Sequence, residues 1–127
     1  MSDTTTNGIR IQVTTEYLPE LSSPAEKQFR FAYHIRVSNV GDETAKLLSR
    51  HWVITNAEGE EHEVRGEGVV GEQPVLGPGA SFDYTSFCNL PTNVGTMHGS
   101  YTMVTPSGDA FEARIAPFTL AVPNALN

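Results

Sequence analysis

Large apolar residues alternate with polar ones along most of this chain, and a spacing of two is typical of β-strands with one buried face. The longest run covers residues 28–38, where five large side chains share one face: Phe29, Phe31, Tyr33, Ile35 and Val37. Shorter runs of the same kind cover residues 9–14, 81–88 and 97–103. No stretch has the 3.6-residue period of an amphipathic helix. The pattern therefore predicts a chain built from strands.

Two segments depart from simple alternation. Residues 45–59 carry apolar side chains on both faces, which predicts a central strand with the single tryptophan, Trp52, buried between two layers. Near the C-terminus the apolar positions change parity at Pro117, because Ile115 belongs to one series and Phe118 to the other. A β-bulge or an edge position at Pro117 would account for both the parity change and the proline.

Turn signals rich in Gly, Pro, Asn and Asp separate seven or eight such strands. This spacing predicts an all-β fold, an antiparallel β-sandwich of about seven strands that forms a single domain over residues 1–127. Residues 1–7 are polar and lie at the terminus, so we expect them to be frayed or disordered.

Composition narrows the functional classes. The chain has 127 residues, a net charge of −7 and one cysteine, Cys88, so it cannot form an intrachain disulfide. These features suit a cytoplasmic protein. The acidic charge argues against nucleic acid as a partner. No apolar run approaches the roughly 20 residues of a membrane helix, and the N-terminus lacks a secretory signal, so we expect no membrane association.

A stretch rich in glycine and proline, residues 65–79, separates the first strands from the last ones. Residues 66–71 read G-x-G-x-x-G, a motif that holds a pyrophosphate when it leaves a strand and begins a helix. Pro74 and Pro78 follow and exclude a regular helix. The glycines are therefore interpreted first as positions for turns, bulges and close strand approach.

Charge weakens the phosphate interpretation further. Six glutamates and one arginine give residues 58–72 a net charge of −5. That sign opposes phosphate unless a metal intervenes. Carboxylates with His62 as a nitrogen ligand would suit Mg²⁺ or Co²⁺. However, Glu61 and Glu63 share one strand face and His62 takes the other, so a solvated hairpin is the favoured interpretation, without a metal site or cofactor.

Catalytic signatures are missing around the candidate nucleophiles and bases. The nucleophiles would be Ser86 and Cys88, and the bases would be His34, His51, His62 and His98. No nucleophile elbow surrounds them, and Cys88 alternates with aromatic residues as a buried small hydrophobe does. The sequence therefore predicts a protein that is not an enzyme. A basic stripe of Arg30, His34 and Arg36 reads as an ordinary solvated sheet face, with partner recognition as the alternative.

Four segments, in this order, resemble the ApaG (CorD) family of bacterial proteins: LLSRHWVITNAEGEEHEVRGEGVVGEQPVLGPG, FDYTSFCNL, GTMHGSYTMV and FEARIAPFTL. The resemblance runs from about Ile9 to Pro123, with one departure at Phe87, where the family usually has glycine. It implies an immunoglobulin-like or fibronectin-III-like sandwich in the cytoplasm. It also implies genetic links to cobalt and magnesium and to dinucleoside polyphosphates. Related eukaryotic domains, in F-box and polymerase-interacting proteins, look like protein-binding modules.

Two functional hypotheses follow. The first is a non-catalytic binding module for an unidentified protein partner, with a homodimer also open. Its candidate loop consists of Arg65, Gly66, Glu67, Gly68, Gly71, Glu72 and Gln73. Any of Val69, Val70, Val75 and Leu76 left exposed would form an apolar strip with an acidic rim, whereas burial of all four would make the stretch a simple connection. The alternative is a nucleotide-polyphosphate or divalent-metal sensor that uses the glycines and neighbouring carboxylates of the same loop.

Overall fold

The structure is a computed structural model that describes residues 1–125. Its strands are β1 (Ser2–Thr6), β2 (Ile9–Tyr17), β3 (Phe29–Asn39), β4 (Ala45–Asn56), β5 (Glu61–Glu67), β6 (Val75–Leu76), β7 (Ser81–Leu90), β8 (Val94–Val104) and β9 (Ala110–Ala121). Two short 3₁₀ turns, Pro19–Leu21 and Pro24–Glu26, lie between β2 and β3. Residues 1–125 contain no α-helix, and none of their helical segments is long and apolar enough to cross a bilayer.

The strands form two antiparallel sheets that pack face to face. The first sheet has the order β1-β2-β3-β7, and the second has the order β5-β4-β8-β9, with β6 also paired to β4. On one side β9 packs beside β1 and β2. On the other side the edge strands β7 and β5 flank a cavity between the sheets. The prediction of an antiparallel sandwich of the fibronectin-III-like type is confirmed.

The core lies between the two sheets and is centred on Trp52, which is 3 % exposed. Its ring meets Tyr33 from the facing sheet at a centroid distance of 5.5 Å, and Tyr101 and Phe118 at 6.4 and 5.8 Å. Three edge-to-face aromatic contacts around one indole stabilise the packing beyond simple area burial. The predicted burial of Trp52 is confirmed.

The expectation of a frayed N-terminus over residues 1–7 is corrected by the structure. Ser2–Thr6 forms β1 and pairs with β2 over its whole length, from Ser2 opposite Val13 to Thr6 opposite Ile9. Asn7 and Gly8, with φ of 46° and 83°, make the turn. An Asn-Gly pair with positive φ at both residues is the preferred two-residue hairpin connection. The polar strand β1 is therefore held in the sheet by the local turn and by pairing with β2, and not by burial of its own side chains.

Two irregularities in strand pairing explain the sequence segments that departed from alternation. Between β8 and β9 the register passes from Met97–Phe118 to Gly99–Ile115, so two residues, Ala116 and Pro117, oppose His98 alone. The bulge predicted at Pro117 is confirmed, and β9 is also an edge strand.

The second irregularity lies in β4, where Leu48 is the extra residue between the pairs Leu47–Met103 and Ser49–Thr102. The predicted central position of β4 is right, but the bulge gives the reason for its pattern. The bulge moves Leu47 to the same buried face as Trp52, although their numbers differ in parity. It also leaves Arg50, two residues before Trp52, pointing toward the space between the sheets.

Candidate functional site

The candidate loop begins at the end of β5 and closes on itself in a tight turn. The backbone N–H of Val69 donates to the carbonyl of Glu72 at 2.8 Å, and the N–H of Glu72 donates back to Val69 at 2.9 Å. The two residues between them, Val70 and Gly71, have φ of 43° and 82°. Positive φ at both central residues is the mark of a type I′ turn, which strongly favours Asn and Gly. Valine at the first central position is therefore unusual.

Burial divides the four apolar residues of this region into two pairs. Val69 is 1 % exposed and Leu76 is also buried, so both help to close the sandwich. Val70 and Val75 are 56 % and 62 % exposed. The alternative in which all four are buried is excluded. Because β-branched residues rarely adopt positive φ, Val70 combines an apolar, solvent-facing side chain with a strained backbone.

Five of the seven candidate residues lie around one shallow concavity of about 330 Å³: Glu67, Gly68, Gly71, Glu72 and Gln73. The other two candidates lie outside it. Arg65 is exposed with its guanidinium 3.6 Å from the carboxylate of Glu63, and Gly66 pairs with Arg50 of β4. The structure thus brings most of the predicted loop residues together, and their surface is acidic.

The backbone of the loop is not arranged as a phosphate cradle. Its N–H groups at Gly68, Val69 and Glu72 all donate within the chain, the first to the carbonyl of Leu48 at 2.7 Å. The chain continues into β6 rather than into a helix. A phosphate site of the G-x-G-x-x-G type needs free N–H groups at a helix N-terminus. At Gly68 a Cβ would lie 2.2 Å from the carbonyl oxygen of Glu72, so its glycine serves close backbone approach.

The neighbouring carboxylates do not converge either. Within residues 1–125, no group of three or more His, Cys, Asp and Glu side chains is placed to hold a metal ion. The closest contact of this kind joins His51 to Glu63 at 3.2 Å, on the outer face of the β4–β5 pair.

An inward-facing arginine, which the sequence analysis did not single out, anchors the loop from below. Within residues 1–125 the Arg50 side chain donates two hydrogen bonds, both from Nη1, to the carbonyls of Glu67 and Gly68 at 3.0 and 2.9 Å. Gly66 lies directly opposite, where a Cβ would stand 2.7 Å from the guanidinium carbon. Gly66 is therefore required for the path of the Arg50 side chain. The sequence did contain a signal for it. Arg50 lies two residues before Trp52 in the same strand, so the two side chains are expected on one face, and that face meets the core.

Arg50 borders a cleft of about 320 Å³ between the sheets. The lining residues come from both layers: Tyr33, Arg50, Trp52, Ile54, Val64, Ser86, Phe87, Cys88, Asn89 and Met97. Burial raises the pKa of the Tyr33 phenol, and the neighbouring Ser86 hydroxyl partly offsets that rise. Burial also raises the pKa of the Cys88 thiol to about 11. Near neutral pH, Cys88 is therefore a protonated thiol rather than a nucleophilic thiolate.

The predicted basic stripe lies on the exposed face of β3, and each member has a local partner. Arg36 lies 3.2 Å from the carboxylate of Asp83, and the ring nitrogen Nδ1 of His34 lies 2.7 Å from the hydroxyl of Thr85. The Arg30 guanidinium stacks over the exposed ring of Phe87, 5.5 Å from its centroid. Cross-strand pairs of this kind are typical of a solvated sheet face.

Comparison with known proteins agrees with the fold. Residues 19–105 match a family model described as the ApaG domain. The chain is 56 % identical to Protein ApaG of Rhodospirillum centenum, over 94 % of this chain and 92 % of that protein. It is 52 % identical to Protein ApaG of Anaeromyxobacter dehalogenans over the full length of both. A crystal structure of an ApaA protein from Bordetella pertussis is 50 % identical, with a TM-score of 0.89 over 92 % of this chain and 95 % of that one.

Proposed function

The chain belongs to the ApaG domain family, and from that premise we propose that it is a non-catalytic, protein-binding module of the cytoplasm. The proposed recognition surface is the candidate loop, residues 65–73, with the exposed Val70 at its tip. A rigid sandwich that carries a shaped connecting loop is a common arrangement in binding domains.

The observation that carries the proposal is the conformation of Val70. Positive φ strains the backbone at Val70, and its exposed apolar side chain would gain burial free energy only on contact with a partner. Strained positions cluster at functional sites, and a partner that covers Val70 would bury this side chain. The surrounding Glu67, Glu72 and Gln73 supply the polar rim that surrounds the apolar centre of a typical interface.

Charge selects the kind of partner. The loop is acidic, and the segment that contains it has a net charge of −5 over residues 58–72. We therefore expect a partner protein with a basic surface, whose association weakens as salt is added.

The test is a double charge reversal, Glu67→Lys with Glu72→Lys. Both side chains are exposed, so the melting temperature should change little, whereas partners captured from lysate by the wild-type protein should be lost. Glu58→Lys with Glu61→Lys is the matched control, because it makes the same charge change on the adjacent hairpin. If both double variants capture the partners as well as the wild type does, the binding surface lies outside the loop.

A sensor of nucleotide polyphosphates or divalent metals is the competing function. It gains no support from the loop. The three N–H groups that a phosphate would need are engaged, and the two carboxylates of the concavity oppose a phosphate. No third His, Cys, Asp or Glu side chain within residues 1–125 is placed to complete a metal site with them. We expect no hydrolysis of dinucleoside polyphosphates by the purified protein, with or without Mg²⁺ or Co²⁺. Hydrolysis that persists through purification and disappears in Glu67→Ala would refute a non-catalytic role.

A further inference from the structure

The Arg50 cleft, defined by the lining residues given above, holds a cation whose hydrogen-bonding capacity is only partly used. A guanidinium carries five N–H donors, and the two bonds to loop carbonyls both come from Nη1. Among residues 1–125 the ion pairs involve Arg10, Arg36, Arg65 and two histidines, and none involves Arg50. Nε and Nη2 therefore present three donors without a partner in the described chain.

The rest of the cleft offers hydroxyl groups beside an apolar wall. The phenol of Tyr33 and the hydroxyl of Ser86 lie together on the sheet that faces Arg50. Trp52, Ile54 and Met97 line the cleft from the other sheet. A few converging polar groups in an otherwise apolar concavity are the usual composition of a small-molecule site. The volume of about 320 Å³ lies at the small end of the usual range, roughly 300–1,000 Å³.

We propose that the Arg50 cleft binds a monocarboxylate with an aromatic or branched aliphatic body. Nε and Nη2 of Arg50 would donate side by side to the two carboxylate oxygens, the geometry in which arginine recognises a carboxylate. Tyr33 and Ser86 would add hydroxyl donors, and the body would lie against Trp52 and Met97. This site is separate from the loop concavity and does not depend on the protein-binding role proposed for the loop.

Charge favours a carboxylate over a phosphate. Arg50 is the only cationic residue that lines the cleft within the described chain, and the adjacent strand β5 carries Glu61, Glu63 and Glu67. One guanidinium balances one negative charge, whereas a phosphate monoester carries nearly two at neutral pH. The second charge would face the negative potential of β5 without compensation.

Trp52 provides the measurement, because it is the single tryptophan of the chain and lines the cleft. Titration with 3-phenylpropionate should change its fluorescence in a saturable way. The neutral analogue 3-phenylpropanol and the dianion phenyl phosphate should each bind at least about tenfold more weakly, as expected when a charged hydrogen-bonded pair is lost. The carboxylate could belong to a small acid or to the C-terminus of a polypeptide, and N-acetylphenylalanine distinguishes the two. Its binding would show that the cleft accepts a chain terminus, and its exclusion would restrict the cleft to small acids.

Three variants test whether Arg50 is responsible. Arg50→Gln should weaken 3-phenylpropionate binding at least about tenfold while its amide retains a donor for the loop carbonyls. Ser86→Leu should also abolish binding, because it fills the cleft and leaves the loop anchor intact. Arg114→Gln is the control, since it removes the same charge from an exposed position of β9 that belongs to neither the cleft nor the loop, and it should bind like the wild type. Equal binding of acid and alcohol, loss of binding in Arg114→Gln, or no saturable response would each overturn the proposal.

Discussion

At the scale of single residues, the least expected feature is a valine at the first central position of a type I′ turn, where asparagine or glycine is preferred. Val70 has a φ of 43° and its side chain is largely exposed, so neither local preference nor packing favours it. Its neighbour Val69 is buried, which fixes the turn on the sandwich. Valine is enriched in β-strands, yet here the backbone reverses direction across Val69–Glu72, with Val70 as one of the two central residues of the turn.

Replacement of this valine should separate stability from recognition. Val70→Asn should raise the free energy of unfolding by about 1 kcal/mol, because asparagine tolerates positive φ and valine does not. Urea denaturation measures this change. The same variant should lose partners captured by the wild-type loop, because the apolar contact is removed.

Val40→Asn is the control for a generic effect, because Val40 is also exposed but does not belong to this turn. Its stability should change by no more than about 0.5 kcal/mol. A destabilised Val70→Asn protein would contradict the assignment of strain to Val70.

Trp52 is the corresponding residue in the core. Trp52→Ala should destabilise the protein by about 3–5 kcal/mol, because it removes the ring that contacts Tyr33, Tyr101 and Phe118 and leaves a cavity. Chemical denaturation provides the measurement, and Trp52→Phe, which retains an aromatic ring, should lose less. A loss below about 1 kcal/mol for the alanine variant would be inconsistent with a central core position.

At the scale of elements, bulges decide which side chains reach the interior. The bulge at Leu48 turns Leu47 and Trp52 to one face, and the bulge opposite His98 does the same for the two halves of β9. β4 and β8 also approach closely at Gly99, where a Cβ would lie 1.9 Å from the carbonyl oxygen of His51. This glycine is therefore required by backbone contact between neighbouring strands.

Gly99→Ala should be strongly destabilising, by about 2 kcal/mol or more, because a backbone carbonyl cannot move away as a flexible side chain would. Ser100→Ala, the next residue along β8, is the control: it places an alanine in the same strand without a new contact with the β4 backbone, and it should cost much less. Thermal denaturation of the two variants under the same conditions compares them. Similar melting temperatures would show that β8 can shift away from β4 without cost.

At the scale of the whole molecule, the interior contains several ionisable groups that are kept neutral. Burial raises the pKa of the phenols of Tyr33, Tyr84 and Tyr101, and the last two are hydrogen-bonded to each other. Burial also raises the pKa of Cys88 to about 11. The fold therefore binds these protons more tightly than the unfolded chain does.

Alkaline pH should consequently destabilise the protein. Well below pH 9, the ordinary pKa of the thiol, these acids are protonated in both states, so their contribution to stability is complete. As the pH rises toward 11, the unfolded chain loses protons that the folded chain retains. The free energy of unfolding then falls by up to about 1.4 kcal/mol per pH unit for each group. Urea midpoints measured between about pH 8 and pH 10.5 report this fall.

Cys88→Ala should delay the onset of the fall, because the thiol has the lowest unfolded pKa of the set, 9.0 against 10.0 for tyrosine. The phenols remain in this variant and should still reduce its stability above about pH 10. A urea midpoint that is constant up to pH 10.5 in the wild type would contradict the burial of these groups.

The strands, the sandwich and the burial of Trp52 follow from the amino-acid sequence, because alternation at period two shows which face of each strand meets the core. It also located the bulge at Pro117, since a parity change in an apolar series has few other causes. The Asn7-Gly8 pair is also a hairpin signal in the sequence, but the polarity of residues 1–7 favoured the expectation of a frayed terminus. The resemblance to the ApaG family was carried by contiguous segments and was confirmed by the family model over residues 19–105.

The conformation of the glycine-rich stretch and the inward position of Arg50 depend on tertiary contacts. Whether Val69 or Val70 is buried depends on which way a two-residue turn faces, and no local pattern specifies that direction. The inward path of Arg50 depends on a bulge two residues before it, on a glycine in the neighbouring strand and on carbonyls more than fifteen residues away in sequence. Such sites form from contacts between segments far apart in the chain, so their chemistry appears only once the sheets are packed.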